Sequence, residues 1–408
     1  MSWGILAPDT VISQRRQQGL GLAAAVRHFN DRAVPGLGGL WFPMPLLWSV
    51  LAVSIAEELG RPALPIGNAV EALMMRDAKG GPADRRVRGA RKMQGMTDWS
   101  FQNLTRNGTY IAQPIRMAMV QPLVALGLVQ GSRYGAFRLH DAGRQMLALP
   151  GVADSRAILI KWARGEDPQG LKGLNDLIKK LSPIAQVPAE VRKLIQARLL
   201  DGDEANTIRR RNIARLGTGP STAQLDSADP LPGIDPSHWA DLRAGAAFID
   251  LRDGALKVLN RIEQVLLQRR DASQPVRLFP RDAGCETEAE MAELHRIANA
   301  FGSRIDAAKE PVSSDFLKQI RTRSAADLCQ FLAARDGTVV VWRGDHLALG
   351  PAAGAPLTNA DPDTEAQPTG DAAFAPQLFR LYNLHCLTTE LSGQINPGCR
   401  DAKDQEVA

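Results

Sequence analysis

Apolar residues recur at helical spacing over most of this chain, and two short β-branched runs interrupt the pattern near its C-terminal end. Between Leu46 and Leu59 they fall at i, i+3 and i+4, which predicts a buried helix that Gly60-Arg-Pro62 ends. The runs 338–342 and 346–349 flank a polar turn and predict a β-hairpin. The helical spacing predicts further helices over residues 66–75, 155–162, 171–181, 188–200, 236–248, 254–269, 286–301, 314–323, 325–334 and 376–391.

The most informative segment is Met96 to Leu149, where helical and strand patterns alternate. A short helix over 98–104 is followed by a turn at 106–108 and by a second helix over 113–126 that Gly127 ends. The strands 128–130 and 136–139 follow, joined by a tight turn, and Asp141 begins another helix. This order is a helix-turn-helix with a two-stranded wing.

Two motifs in this segment match a known pattern. They are Leu123-Val-Ala-Leu-Gly127-Leu-Val129 at the end of the second helix and Phe137-Arg-Leu139-His-Asp-Ala-Gly143-Arg-Gln-Met-Leu147 after the wing. The segment resembles the winged-helix domains of MarR- and PadR-like regulators, in which the second helix is the recognition helix. His140 stands where threonine is common in those proteins. Pro122 lies inside the recognition helix, where a missing backbone N–H predicts a kink.

Charge along the chain is uneven although the net charge is only +5. Residues 85–146 contain ten Arg or Lys and two Asp, whereas residues 351–408 contain three basic and eight acidic residues. A cluster of about eight net positive charges favours a polyanionic partner near the first half of the chain. We therefore expect the 85–146 region to bind double-stranded DNA.

The expected DNA contacts fall into three groups. An α-helix fits the major groove with its N-terminal side chains at base edges, and the wing and flanking cations meet phosphates. The base-reading candidates are Thr109, Tyr110, Gln113 and Arg116. The candidates at the wing and the preceding turn are Arg106, Ser132, Arg133, Tyr134 and Arg138. A basic arm adds phosphate contacts through Arg85, Arg86, Arg88, Arg91 and Lys92.

Catalytic and metal-binding motifs are missing from the sequence. It contains no Walker A, HExxH or GxSxG pattern, and its four cysteines form no CxxC pair. The acidic run 286–293 with His295 contains metal-ligating residue types, but acidic helix starts are common, so the run does not by itself indicate a metal site. We assign no catalytic residue, metal or cofactor, and we lean towards a protein that is not an enzyme.

Three functions remain open at this stage. The first is a DNA-binding transcription regulator or the DNA-recognition subunit of a larger bacterial complex, such as a defence or mobile-element system. The second is an adaptor whose winged helix docks a partner protein, and the third is an unrecognised nucleic-acid-processing enzyme. A protein partner or homo-oligomer is expected because a simple repressor is much shorter than 408 residues.

The sequence predicts a mainly α, multi-domain protein with a winged-helix module, helical bundles and a C-terminal β-hairpin. The predicted segments are a helical region (1–82), the winged-helix domain with its arm (83–150), a helical region (151–217), a Gly/Pro-rich linker (218–236), a mostly helical domain with the hairpin (237–349), and an acidic loop, helix and tail (350–408). We expect a cytoplasmic protein, because no secretory signal pattern is present and the apolar run 40–56 is too short to span a bilayer.

Overall fold

A computed structural model describes residues 18–78, 84–217, 219–270, 276–306, 310–355 and 378–399; the side chains of Ala90 and Arg91 are not included. The chain forms two compact units, each assembled from two stretches of sequence. Unit 1 comprises Met1–Phe29 and Trp239–Gln367, and unit 2 comprises Asn30–His238 and Pro368–Ala408. Residues 18–29 therefore fall in the same unit as residues beyond Trp239, whereas the sequence grouped them with residues 30–82.

The described residues are mainly helical, with two small antiparallel hairpins. The unit boundaries fall within the residue ranges of α1 (Ala23–Ala33) and α13 (Pro236–Gln268). The other elements of unit 2 are α2 (Met44–Leu59), α3 (Ala63–Met74), α4 (Ala90–Met93), α5 (Phe101–Leu104), a 3₁₀ helix (Ile115–Met119), α6 (Val120–Ala125), β1 (Val129–Gln130), a 3₁₀ turn (Tyr134–Ala136), β2 (Arg138–Leu139), α7 (Asp141–Leu147), α8 (Val152–Ala163), α9 (Leu174–Lys180), α10 (Ala189–Leu200), α11 (Ala205–Arg215), α12 (Thr222–Asp226), α18 (Phe379–Leu391) and a 3₁₀ turn (Pro397–Cys399).

Helix α2 is the central element of unit 2. Every residue from Met44 to Ala56 is buried, and Gly60 ends the helix in a left-handed conformation. A helix that is apolar on all sides must be surrounded by protein, and α2 contacts α3, α7, α8 and β2. This confirms the predicted buried helix. Among the described residues, no helix is both long enough and apolar enough to cross a membrane.

Unit 1 is built on α13, for which the sequence predicts two helices separated near Gly254. The structure has one continuous helix of 33 residues. Gly254 stays helical because a helix partner lies close: a Cβ there would stand 3.2 Å from Leu294 Cδ1 and 3.3 Å from Ile297 Cδ1. Packing thus outweighs the low helix propensity of glycine. The remaining elements are α14 (Pro280–Glu286), α15 (Glu288–Gly302), α16 (Pro311–Thr322), α17 (Ala325–Asp336), β3 (Val340–Trp342) and β4 (Leu347–Leu349).

The predicted C-terminal hairpin is confirmed. Strands β3 and β4 pair in an antiparallel register with Val340 opposite Leu349 and Trp342 opposite Leu347. The carboxylate of Asp336 accepts hydrogen bonds from the backbone N–H groups of Val339 and Val340. It thereby fixes the entry of the chain into β3.

The predicted linker over 218–236 contains local structure. Helix α12 starts with a capping box in which Ser221 and Gln224 exchange hydrogen bonds. Leu225 and Ile234 are buried. The Gly/Pro-rich composition therefore did not predict that parts of this segment pack against the unit. The chain passes from unit 2 to unit 1 two residues beyond the predicted linker, between His238 and Trp239.

Candidate nucleic-acid interface

A buried carboxylate organises the predicted winged-helix segment. Glu71 on α3 is only 1% exposed. Its Oε1 accepts hydrogen bonds from the Tyr110 hydroxyl at 3.0 Å and the Ile115 N–H at 2.7 Å, and its Oε2 accepts one from the Arg116 N–H at 2.9 Å. The first backbone donors of the 3₁₀ helix are therefore satisfied by a side chain from α3.

Electrostatics at Glu71 follow from this burial. Loss of solvent raises the pKa of the Glu71 carboxyl, while the N–H groups of Arg116 and Ile115 and the Tyr110 hydroxyl oppose that rise. Burial and the neighbouring Glu71 raise the pKa of Tyr110 well above its usual value. Glu71 and Tyr110 are therefore a buried, hydrogen-bonded pair, and neither side chain is available to a partner at the surface.

The predicted recognition helix over 113–126 is divided into two pieces. Residues 115–119 form a 3₁₀ helix, and an α-helix begins only at Val120. Pro122 is the third residue of α6, where its missing N–H would have no intrahelical partner. The expected kink is therefore a change of helix type just before the proline. The first predicted helix is also shorter than expected, since Ser100 caps α5 by accepting a hydrogen bond from the Asn103 N–H.

The predicted wing strands pair over two residues each. Val129 lies opposite Leu139 and Gln130 opposite Arg138 in an antiparallel ladder. The Leu139 N–H donates to Glu57 Oε1 of α2 at 2.8 Å. The hairpin, called the wing below (residues 129–139), is therefore attached to α2.

Tyr134 in the wing turn packs into unit 2. It is 4% exposed, and burial raises the pKa of its hydroxyl to about 12. The Arg116 guanidinium lies 5.4 Å from the centre of the Tyr134 ring, and its Nε donates to Asn68 Oδ1. Arg116 is therefore engaged by α3 and the wing.

Gly67 on α3 allows the Tyr134 ring to pack closely against this helix. A Cβ at Gly67 would lie 2.6 Å from Tyr134 Cε1 and 2.8 Å from its hydroxyl. We expect Gly67→Ala to force the wing turn away from α3 and to lower the free energy of unfolding by about 1–3 kcal/mol in chemical denaturation. Gly135→Ala is the matched control, because its Cβ would meet Leu64 at an ordinary 3.6 Å. Equal stability of the two variants would contradict the packing described here.

A loop covers part of α6. A Cβ at Gly36 would meet Ala125 Cβ at 2.6 Å, and one at Gly38 would meet Pro122 Cδ at 2.9 Å. Gln121 on the same helix donates to Asp31, which also pairs with the buried Arg380 at 2.9 Å. A recognition helix needs a free face to enter the major groove. The loop and these polar contacts occupy part of that face.

The predicted site residues consequently fall into separate environments. Tyr110 and Tyr134 are buried, so neither side chain is at the surface where DNA contacts were expected. The half-buried ones are Arg85, Arg86, Thr109, Gln113 and Arg116. The exposed ones are Arg88, Lys92, Arg106, Ser132, Arg133 and Arg138. The side chain of Arg91 lies outside the described residues.

Two arginines of the predicted basic arm make intramolecular contacts. Arg86 pairs with Asp84 at 2.8 Å, and Arg85 lies 5.9 Å from the centre of the Trp41 ring. The arm also packs near the Tyr110 segment, since a Cβ at Gly89 would meet Ile111 at 2.9 Å. Arg88 and Lys92 remain exposed.

The contacts made by Glu71, Asn68, Glu57 and Asp31 were not predicted from the sequence. Glu71 did leave a signal, because it is the only charged residue between Pro65 and Met75. A lone carboxylate in an apolar helix requires buried partners. Nothing in the sequence named those partners, which lie about 40 residues away.

Two acidic side chains of the run 286–293 form ion pairs, and His295 lies at hydrogen-bond distance from a backbone carbonyl. Glu286 pairs with Arg269, Glu293 pairs with Arg296, and His295 Nε2 lies 3.2 Å from the Ile320 carbonyl oxygen. Within the described residues no group of three His, Cys, Asp or Glu side chains is arranged to hold a metal ion.

We compared the chain with known protein families, curated proteins and solved structures. No protein-family model, no curated protein and no solved structure matches this chain.

Proposed function

We propose that this chain binds double-stranded DNA through the exposed cations of the wing and the basic arm. The observation that supports this most is the exposure of Arg133 and Arg138 on the wing, where Ser132, the neighbour of Arg133 in the chain, is exposed as well. Arginine and serine side chains in such a position suit phosphate oxygens. Arg88, Lys92 and Arg106 extend the set of exposed cations in the same unit.

The geometry favours contact with the DNA backbone over reading of bases. Arg116 is held by Asn68 and Tyr134, Tyr110 is bonded to Glu71, and α6 is partly covered. Backbone contacts carry no direct sequence information. We therefore propose that the protein binds duplex DNA without selecting its sequence. In a larger bacterial complex, a partner subunit would then select the sequence.

Fluorescence anisotropy with labelled duplexes of unrelated sequence tests this proposal. We expect similar affinities for all duplexes, and a steep loss of affinity between roughly 50 and 200 mM salt. A strong preference for one duplex would show that the 3₁₀ helix and α6 read bases after all. Absence of binding at the lowest salt concentration would overturn the proposal.

Protein docking is a second candidate, supported by apolar side chains on the same segment. Met117 is 48% exposed on the 3₁₀ helix and Val124 is 42% exposed on α6. Exposed apolar side chains favour a protein partner over phosphates. If this face joins two copies of the chain, sedimentation velocity should show a dimer that Val124→Glu dissociates. A wild-type monomer at high concentration would rule out that form of docking.

A further inference from the structure

Unit 2 contains a cavity of about 360 Å³ that is separate from the wing. Its lining comes from α2, the first turn of α8, the end of α9 and the segment before α10. This volume falls within the range of small-molecule sites. The lining residues are Leu47, Leu51, Gly151, Val152, Ser155, Lys180, Leu181, Ala185, Gln186 and Pro188.

The floor of this cavity is apolar. Leu47, Leu51, Val152 and Leu181 are buried side chains. The Ser155 hydroxyl donates to the Gly151 carbonyl oxygen at 2.6 Å, and the Leu181 carbonyl oxygen accepts a hydrogen bond from the Trp48 indole at 2.8 Å. The polar groups in the floor are therefore partly satisfied by the protein itself, and the surface that remains favours a hydrocarbon or aromatic group.

The rim has a different character. Gly151, Lys180, Gln186 and Pro188 are exposed. The Gln186 amide donates to the Gly393 carbonyl oxygen, and Lys180 carries the only charge among the described lining residues. An apolar floor beneath a single ammonium group complements a molecule with an apolar body and one anionic end.

We propose that this cavity binds a small amphipathic anion, such as a medium-chain fatty acid or an arylcarboxylate, with its apolar part on Leu47 and Leu51 and its anionic group at Lys180. The Lys180 ammonium contributes charge complementarity, and the leucines contribute burial of apolar surface. This ligand site is independent of the proposed DNA-binding function.

Titration of the full chain with decanoate tests the proposal, using displacement of 8-anilinonaphthalene-1-sulfonate fluorescence and direct calorimetry. Wild-type protein should bind decanoate saturably at a stoichiometry of one. Lys180→Gln should weaken decanoate binding about tenfold and leave decanol binding unchanged, because only the anion uses the ammonium group. Lys179→Gln is the matched control: it removes a neighbouring exposed charge outside the lining and should bind as wild type does.

Ala185→Trp tests whether the ligand binds in the cavity or elsewhere on the surface. Ala185 is only partly buried, so the indole can occupy the cavity with little disturbance of the core. This variant should lose both decanoate and decanol binding while its thermal unfolding stays close to that of wild type. Nonsaturable binding by wild type, equal effects of Lys180→Gln and Lys179→Gln, or full binding by a folded Ala185→Trp would each overturn the proposal.

Discussion

Glu71→Ala should lower the free energy of unfolding by about 3–5 kcal/mol. The substitution leaves the Tyr110 hydroxyl and the N–H groups of Ile115 and Arg116 without their acceptor. All three donors are at buried or half-buried residues. The removed side chain also leaves a void. Urea denaturation of the full chain measures this loss.

Tyr110→Phe provides the matched control. It removes one donor to Glu71 and leaves both backbone donors in place, so its cost should be nearer 1 kcal/mol. If Glu71→Ala and Tyr110→Phe are equally stable, the carboxylate does not hold the start of the 3₁₀ helix. Hydrogen exchange adds a local readout: the Ile115 and Arg116 amides should lose protection in Glu71→Ala and keep it in Tyr110→Phe.

The combined substitution of Arg133 and Arg138 by alanine should weaken duplex DNA binding about a hundredfold near 50 mM salt. Each phosphate contact contributes about one unit to the dependence of log affinity on log salt, which corresponds to roughly tenfold at that concentration. Both side chains are exposed, so stability should change by less than about 0.5 kcal/mol. Anisotropy with one duplex measures the loss.

The charge-matched control removes two exposed cations elsewhere. Lys193 is 73% exposed on α10 and Arg296 is 70% exposed on α15. The double variant Lys193→Ala, Arg296→Ala changes the net charge by the same amount. It should bind duplex with nearly wild-type affinity. Equal losses in the two double variants would mean that net charge, and not the wing, determines affinity.

Much of the fold could be predicted because the spacing of apolar residues within a segment determines whether it forms a helix or a strand. The continuous apolar run of α2 and the alternating strands of β3 and β4 each specify an element without reference to distant residues. The joined helix α13 shows where this fails, because Gly254 is helical through contact with Leu294 and Ile297. The grouping of residues 18–29 with unit 1 likewise depends on long-range contacts.

The candidate site was less predictable than the fold. Residue type and spacing identified Arg133 and Arg138 as exposed wing cations, and the structure shows both exposed. The same reasoning placed Tyr110 and Tyr134 on the DNA-binding face, because tyrosine suits both a phosphate contact and a packed interior. Their burial depends on Glu71 and Gly67 of α3, about 40 and 70 residues earlier in the chain. No local pattern contains that information.

The salt dependence of duplex binding by wild type and by the Arg133→Ala, Arg138→Ala variant tests whether the wing contacts DNA phosphates. Affinity is measured for one duplex between roughly 50 and 200 mM salt, and log affinity is plotted against log salt. Phosphate contact through the wing predicts that the variant's slope is shallower than the wild-type slope by about two units, one for each lost contact. Parallel slopes, or no wild-type binding at 50 mM salt, would contradict it.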